Sequence, residues 1–203
     1  MNKITAAAIS LVIIILSAKF TLNFKPLYYF DIDYLNITER TALSEAEIKS
    51  SYDYLIYYVN SKENLEFKIP LLPSSNQGAI HFRDVKGIFN RLDFTLIPLF
   101  AIILLGSFMC LRKKDFSFIK ISSWLTIILS AAAALPFVVN FEWAFETFHK
   151  ILFSNDYWLF DPATDPVINL LPEEFFFHCL MLIVIFILLS SLLLRLLYNK
   201  VKN

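Results

Sequence analysis

The sequence predicts an all-α membrane protein: four transmembrane helices with a small extracytoplasmic cap. Three observations carry that prediction. Hydrophobic residues make up 57% of the 203 and charged residues 18%, with a mean hydropathy of +0.59. A soluble chain of this size has too little interior to bury so much apolar surface. Ile121–Phe141 and Phe175–Leu194 are long apolar runs, of the roughly 20 residues that a helix needs to cross hydrocarbon. Basic residues collect in the segments that alternate spans would leave on one side, the asymmetry that orients membrane proteins.

The elements follow in order. Residues 1–24 form the first span. Lys3 ahead of the apolar core Ile4–Ala18 also resembles a cleavable secretory signal. Continuation through Phe20, Leu22 and Phe24, with Lys19 snorkelling to the interface, favours an uncleaved anchor. Residues 25–93 form the cap. Ser44 with Glu47 three positions on is a capping box, which opens a helix over Glu45–Asn60 with Ile48, Tyr52, Leu55 and Val59 on one face. Phe67–Leu72, ended by Pro73, reads as extended, so the cap is mainly helical with at most one short strand pair. A second amphipathic helix over Ala79–Leu92 leads into the second span, residues 94–111. A loop (112–120), a third span (121–141), an outer segment (142–174), a fourth span (175–194) and a tail (195–203) complete the chain. The outer segment begins helically through Phe145, Phe148 and Leu152 and turns irregular around Asn155–Pro166.

Lys3, Arg112, Lys113, Lys114, Lys120, Arg195, Lys200 and Lys202 fall on one side of the membrane with a single acid, Asp115. The positive-inside rule places that side, and both termini, in the cytoplasm. The cap and the second outer segment then lie outside the cell membrane.

The same composition excludes several activities. Three scattered glycines cannot build a phosphate-cradling loop. Zero net charge leaves no footprint for nucleic acid. Two cysteines make neither a disulfide framework nor a four-cysteine zinc site. No Gly-x-Ser-x-Gly elbow and no His-Glu-x-x-His motif occurs. No metal and no cofactor is expected.

All three histidines fall at the outer boundary. Asp84, three residues after His81, can neighbour it on a helix face and orient its imidazole; a solvated surface pair is the plainer reading. His149 lies in FEWAFETFHKILF, equally readable as an interfacial aromatic belt. His178, behind three phenylalanines, reads as packing. In the irregular stretch, Tyr157, Trp158 and Phe160 interleave with Asp161 and Asp165 among three prolines. Asp-Pro turns there would hold carboxylates and rings at headgroup depth, a shelf suited to the glycerol and carbonyl region of a lipid ester.

At these residues the chain resembles the lipoprotein intramolecular transacylases, small membrane enzymes of Gram-positive bacteria. The resemblance rests on HFRDVK at His81–Lys86, on Phe148-His149, and on WLFDPATDPVINLLPEEFF at Trp158–Phe176, together with the four-span layout. It implies an acyltransferase acting on a diacylated lipoprotein in the bacterial cytoplasmic membrane. The sn-2 acyl chain would move to the α-amine of the lipoprotein's own N-terminal cysteine. It implies catalysis by His81 and His149 at the outer leaflet. The reading of the residues adds His81, oriented by Asp84, as base toward the amine and His149 as acid or oxyanion donor, two roles that can be exchanged, with Lys86, Tyr157, Trp158, Phe160, Asp161 and Asp165 toward substrate. The lipoprotein and the phospholipid bilayer are the expected partners, with a monomer favoured. Two other readings stay open: a non-enzymatic cap protein of an envelope or secretion complex, and an intermolecular lipid acyltransferase or esterase.

The chemistry fits the residue set. Attack by the amine on the ester carbonyl of the same molecule closes an eight-membered ring, so no enzyme nucleophile is required. Positioning can supply about 7–11 kcal/mol. Two proton transfers remain, and imidazole, with a pKa of about 6.5, suits both.

Overall fold

A computed structural model describes residues 1–202. Its elements are α1 (Asn2–Asn23), α2 (Lys25–Tyr34), α3 (Ile37–Arg40), α4 (Glu45–Asn60), α5 (Asn76–Arg112), α6 (Ser117–Val139), α7 (Phe141–Leu152), a 3-10 turn (Pro166–Asn169) and α8 (Glu173–Lys202). No strand forms among the described residues. Phe67–Leu72, expected to be extended, is irregular chain ending in a turn. Four helices, α1, α5, α6 and α8, are long and apolar enough to cross a membrane.

Local chemistry explains the boundaries. At α4 the Glu47 carboxylate accepts from the Ser44 N–H at 2.8 Å and from its hydroxyl at 2.6 Å, which closes the expected capping box. Helix α5 starts three residues before the expected Ala79, because the Ser75 hydroxyl accepts from the Gly78 N–H at 2.9 Å and caps it. The third span stops at Val139 rather than running to Phe141. Asn140 is extended there, and its side chain accepts from the Trp143 N–H at 3.0 Å to start α7 as a separate helix. Helices α2 and α3 lie in a stretch with no assigned element. Their signals are Pro26 in the first turn of α2 and Asn36, whose left-handed φ of 50° turns the chain into α3.

The chain divides into two compact units: Met1–Thr21, Leu92–Val139 and the segment from Leu180; and Leu22–Arg91 with Asn140–Cys179. The first holds its helices together with small and hydroxylated residues, as expected where lipid supplies no hydrophobic drive. The Thr126 hydroxyl donates to Ser10 Oγ at 3.0 Å, and Ser191 donates to the Ser123 carbonyl at 2.7 Å. Lys19 makes an ion pair with Asp93 at 2.6 Å. Gly106 packs directly on Thr5, which is fully buried; a Cβ at 106 would overlap the threonine hydroxyl. Gly106→Ala should therefore destabilise by about 1–3 kcal/mol, read as a lower thermal midpoint in detergent; an unchanged midpoint would show that the contact yields freely.

The second unit has an aromatic and aliphatic core. Tyr28 stacks on Tyr52 at 3.7 Å between centroids, Phe175 packs edge-on, and the Tyr28 hydroxyl donates to the Leu170 carbonyl at 2.8 Å. A second cluster joins Leu55, Tyr58 and Val59 of α4 to Phe67, Ile69, Val167 and Phe82 of α5. Each such side chain contributes about 1.5–3 kcal/mol by burial. This core presents one face of α5 inward, and His81 lies beside Phe82 on that helix.

Candidate active site

His81, from the second turn of α5, and His149, from the last turns of α7, come together within the second unit. Their ring centroids are 6.1 Å apart with planes 33° apart: neighbours, without a hydrogen bond between them. Aromatic rings enclose the pair. Phe153 lies 4.8 Å from His81 and 5.7 Å from His149, Phe160 packs edge-on to His81 at 5.4 Å, and Trp158 stacks on His149 at 4.9 Å. His81 is only 6% exposed. Helix α7 is sharply two-faced: His149 is half-buried, while Trp143, Phe148, Ile151 and Leu152 are exposed apolar residues.

The imidazoles differ. His149 Nδ1 lies 2.7 Å from the Phe145 carbonyl one turn back. A carbonyl only accepts, so this nitrogen carries the proton, and in the neutral ring Nε2 keeps its lone pair. Burial lowers the pKa of His149, and the bond to Phe145 partly opposes that. The charges at Arg83, Asp84, Lys86, Arg91 and Asp93 confine any membrane crossing by α5 to its C-terminal part, which leaves His81 outside it. Burial first, and the neighbouring His149 second, depress the pKa of His81 to about 4, with Asp84 pulling weakly upward. His81 Nδ1 is buried and has no hydrogen-bond partner.

A pH dependence follows. The unfolded chain protonates this histidine near 6.5, whereas the folded one stays neutral down to about 4. Folded-state stability is therefore complete above pH 6.5 and declines as pH falls toward 4, by up to about 3 kcal/mol. The thermal midpoint should drop between pH 7 and pH 4.5, and His81→Phe should flatten that slope; parallel slopes in the two proteins would refute the assignment.

The expected substrate-side residues divide. Trp158 and Phe160 face the histidines. Asp84 makes its hydrogen bond to Asn155 Nδ2 at 3.4 Å, not to His81, so it acts on the imidazole only through its field. Lys86 is buried, donates to the Glu63 carbonyl at 2.6 Å and lies over the Tyr58 ring at 4.6 Å. It anchors the irregular segment after α4. Asp165 is buried as well: its carboxylate accepts from the Ser75 N–H and the Thr164 hydroxyl, both at 2.8 Å. Asp161 is exposed and closes the turn before it, accepting from the Ala163 N–H at 2.9 Å. Tyr157 donates its N–H to Asn155 at 3.1 Å and makes no ring contact with either imidazole among the described residues. The acids of the DPATDP string thus shape the segment that carries Trp158 and Phe160.

Two features escaped the sequence reading. Phe153, read as part of an aromatic belt, is the ring shared by both histidines. His178, read as packing, has its Nδ1 2.8 Å from Asp31 Oδ1, a carboxylate with no solvent exposure. Nothing in the spacing of residues on α2 and α8 foretells that pair. Burial pushes the Asp31 carboxyl upward, partly offset by His178.

Comparison with known proteins identifies the family and the fold. The family model described as lipoprotein intramolecular transacylase Lit matches residues 3–176. A solved structure of the membrane-integral lipoprotein intramolecular transacylase Lit from Bacillus cereus is 40% identical, with a TM-score of 0.95, over 99% of this chain and 94% of that one. Two further structures of that protein, with one histidine replaced by arginine or by alanine, are also 40% identical over 99% of this chain. Their TM-scores are both 0.91, over 90% and 91% of their own chains. A comparison with curated protein sequences finds no match. The chain belongs to the lipoprotein intramolecular transacylase family.

Proposed function

We propose that this enzyme moves the sn-2 acyl chain of a diacylglyceryl lipoprotein to the α-amine of the same molecule's N-terminal cysteine, with His149 as the base. The observation that carries this reading is the pairing of two differently tuned imidazoles in one water-poor aromatic enclosure. One has a fixed tautomer and a free Nε2; the other stays neutral at pH 7. Substitution of a histidine in the Bacillus cereus structures lends further support.

The steps balance. The substrate ammonium first loses a proton to water. The amine nitrogen then attacks the ester carbonyl carbon, and the carbonyl π pair moves onto oxygen. His149 Nε2 takes the second proton as the C–N bond forms, and the Phe145 carbonyl steadies the imidazolium through Nδ1–H. The carbon–oxygen bond to glycerol breaks as the carbonyl re-forms. The departing alkoxide receives one proton, relayed through His81, whose low basicity makes its protonated form a ready donor. The products are an amide and a free glyceryl hydroxyl, and both histidines end as they began. The rings of Phe153, Phe160 and Trp158 keep out water, which would otherwise hydrolyse the ester.

The basic segments support a site at the outer leaflet with both termini in the cytoplasm. Mass spectrometry of one abundant lipoprotein's N-terminal peptide, from cells with and without the enzyme, tests the reaction. Expression should convert diacylglyceryl-cysteine to N-acyl lyso-form with no change in total mass. A mixture of light and isotopically heavy substrates should give only unmixed products; mixed labels would make the transfer intermolecular.

A further inference from the structure

We propose that the Trp158 indole N–H is the donor that binds the substrate's sn-2 carbonyl oxygen and the negative charge that develops there, an inference that rests on the acyl-transfer reading above. Trp158 is 7% exposed, and its Nε1 is one of the buried polar atoms that find no hydrogen-bond partner. An indole nitrogen can only donate. Leaving such a donor buried and unpaired costs about 1–3 kcal/mol, a cost that a phenylalanine in the same place would not incur. Stacking on His149 at 4.9 Å and 29° needs only the ring. The N–H donates to no acceptor among the described residues.

The acceptor it lacks is one the reaction supplies. As the amine adds to the ester carbon, the π pair becomes an oxyanion. His149 cannot stabilise that oxygen while its Nε2 is receiving the amine proton and its Nδ1–H is held by Phe145. A second donor is needed beside the base, and Trp158 lies against the base's ring. His81 Nδ1 is the other unpartnered buried atom of the enclosure, on a ring 6.1 Å from that of His149. Entry of the ester group between these rings would satisfy the indole just where charge appears, in a medium too dry for water to compete. No other indole touches either imidazole among the described residues, and the nearby acids Asp84, Asp161 and Asp165 cannot donate while ionised.

The test uses purified full-length enzyme in detergent with a synthetic diacylglyceryl-cysteinyl lipopeptide. Trp158→Phe keeps a ring for His149 and removes the N–H. Its kcat should fall about 10²- to 10³-fold, the effect of deleting one oxyanion donor, with KM nearly unchanged and the thermal midpoint retained. Incorporating β-(3-benzothienyl)alanine at 158, the same shape with sulfur in place of N–H, should give the same loss, and decides the matter if the phenylalanine variant fails to fold. A fall in kcat of tenfold or more in the isosteric protein supports the proposal. A smaller fall overturns it and leaves Trp158 a ring that positions His149. Absence of any intramolecular transfer by the unsubstituted enzyme would instead remove the reading on which it rests.

Discussion

His149→Ala should lower kcat by about 10²- to 10⁴-fold, the usual contribution of a positioned proton-transfer group, while the protein still accumulates in the membrane. His149 has a single hydrogen bond, to its own helix, and four aromatic neighbours that can close over a small void. Loss of folding is therefore the lesser effect. His149→Gln separates the roles: glutamine can still donate to Phe145 but has no basic nitrogen, so it should be as inactive as alanine. His81→Ala should show a comparable loss, yet a different pH dependence of stability, since the neutral buried ring is gone. In lipopeptide spectra both variants should leave the diacylglyceryl form unconverted. Retention of more than about a tenth of the activity in His149→Gln would rule out a basic role for that nitrogen.

Gly78→Ala should have the second largest effect. A Cβ there would overlap the Asp165 carboxylate and press on the Phe160 ring. Asp165 cannot retreat cheaply: it is 4% exposed and its oxygens hold the Ser75 N–H and the Thr164 hydroxyl. The segment carrying Trp158 and Phe160 would have to shift by about an ångström, since the Cβ would lie 2.2 Å from the Asp165 oxygen. About 1–3 kcal/mol of stability should be lost, and activity should fall far more than that, because rings displaced from both imidazoles spoil a geometry on which positioning depends. The measurement pairs a thermal melt with a turnover rate. A lowered midpoint with normal turnover would mean that the shelf moves independently of the site.

The helical spans and α4 were legible because period, length and capping act locally. Ser44 and Glu47 are three residues apart and meet whatever the rest of the chain does. The juxtaposition of His81 and His149 was not legible from spacing. It depends on α5 and α7 packing in one unit, and only the resemblance pointed to it. Asp84 shows the converse error. Its spacing from His81 permits contact, but Asn155, far along the chain, takes the carboxylate instead. The acids of the DPATDP string look chemical in a sequence, since carboxylates beside aromatics suggest binding. Burial makes Asp165 a structural acceptor, and turn geometry occupies Asp161. The Asp31–His178 pair was hidden for the same reason as the His81–His149 pair, being a contact between helices distant in sequence.

The exposed apolar face of α7, opposite the half-buried His149, has a kinetic consequence. An enzyme seated in lipid through such a face meets its substrate by lateral diffusion in two dimensions, so the concentration that governs its rate is a mole fraction. Adding inert phospholipid to vesicles at constant total substrate should slow turnover, although nothing in the bulk solution has changed.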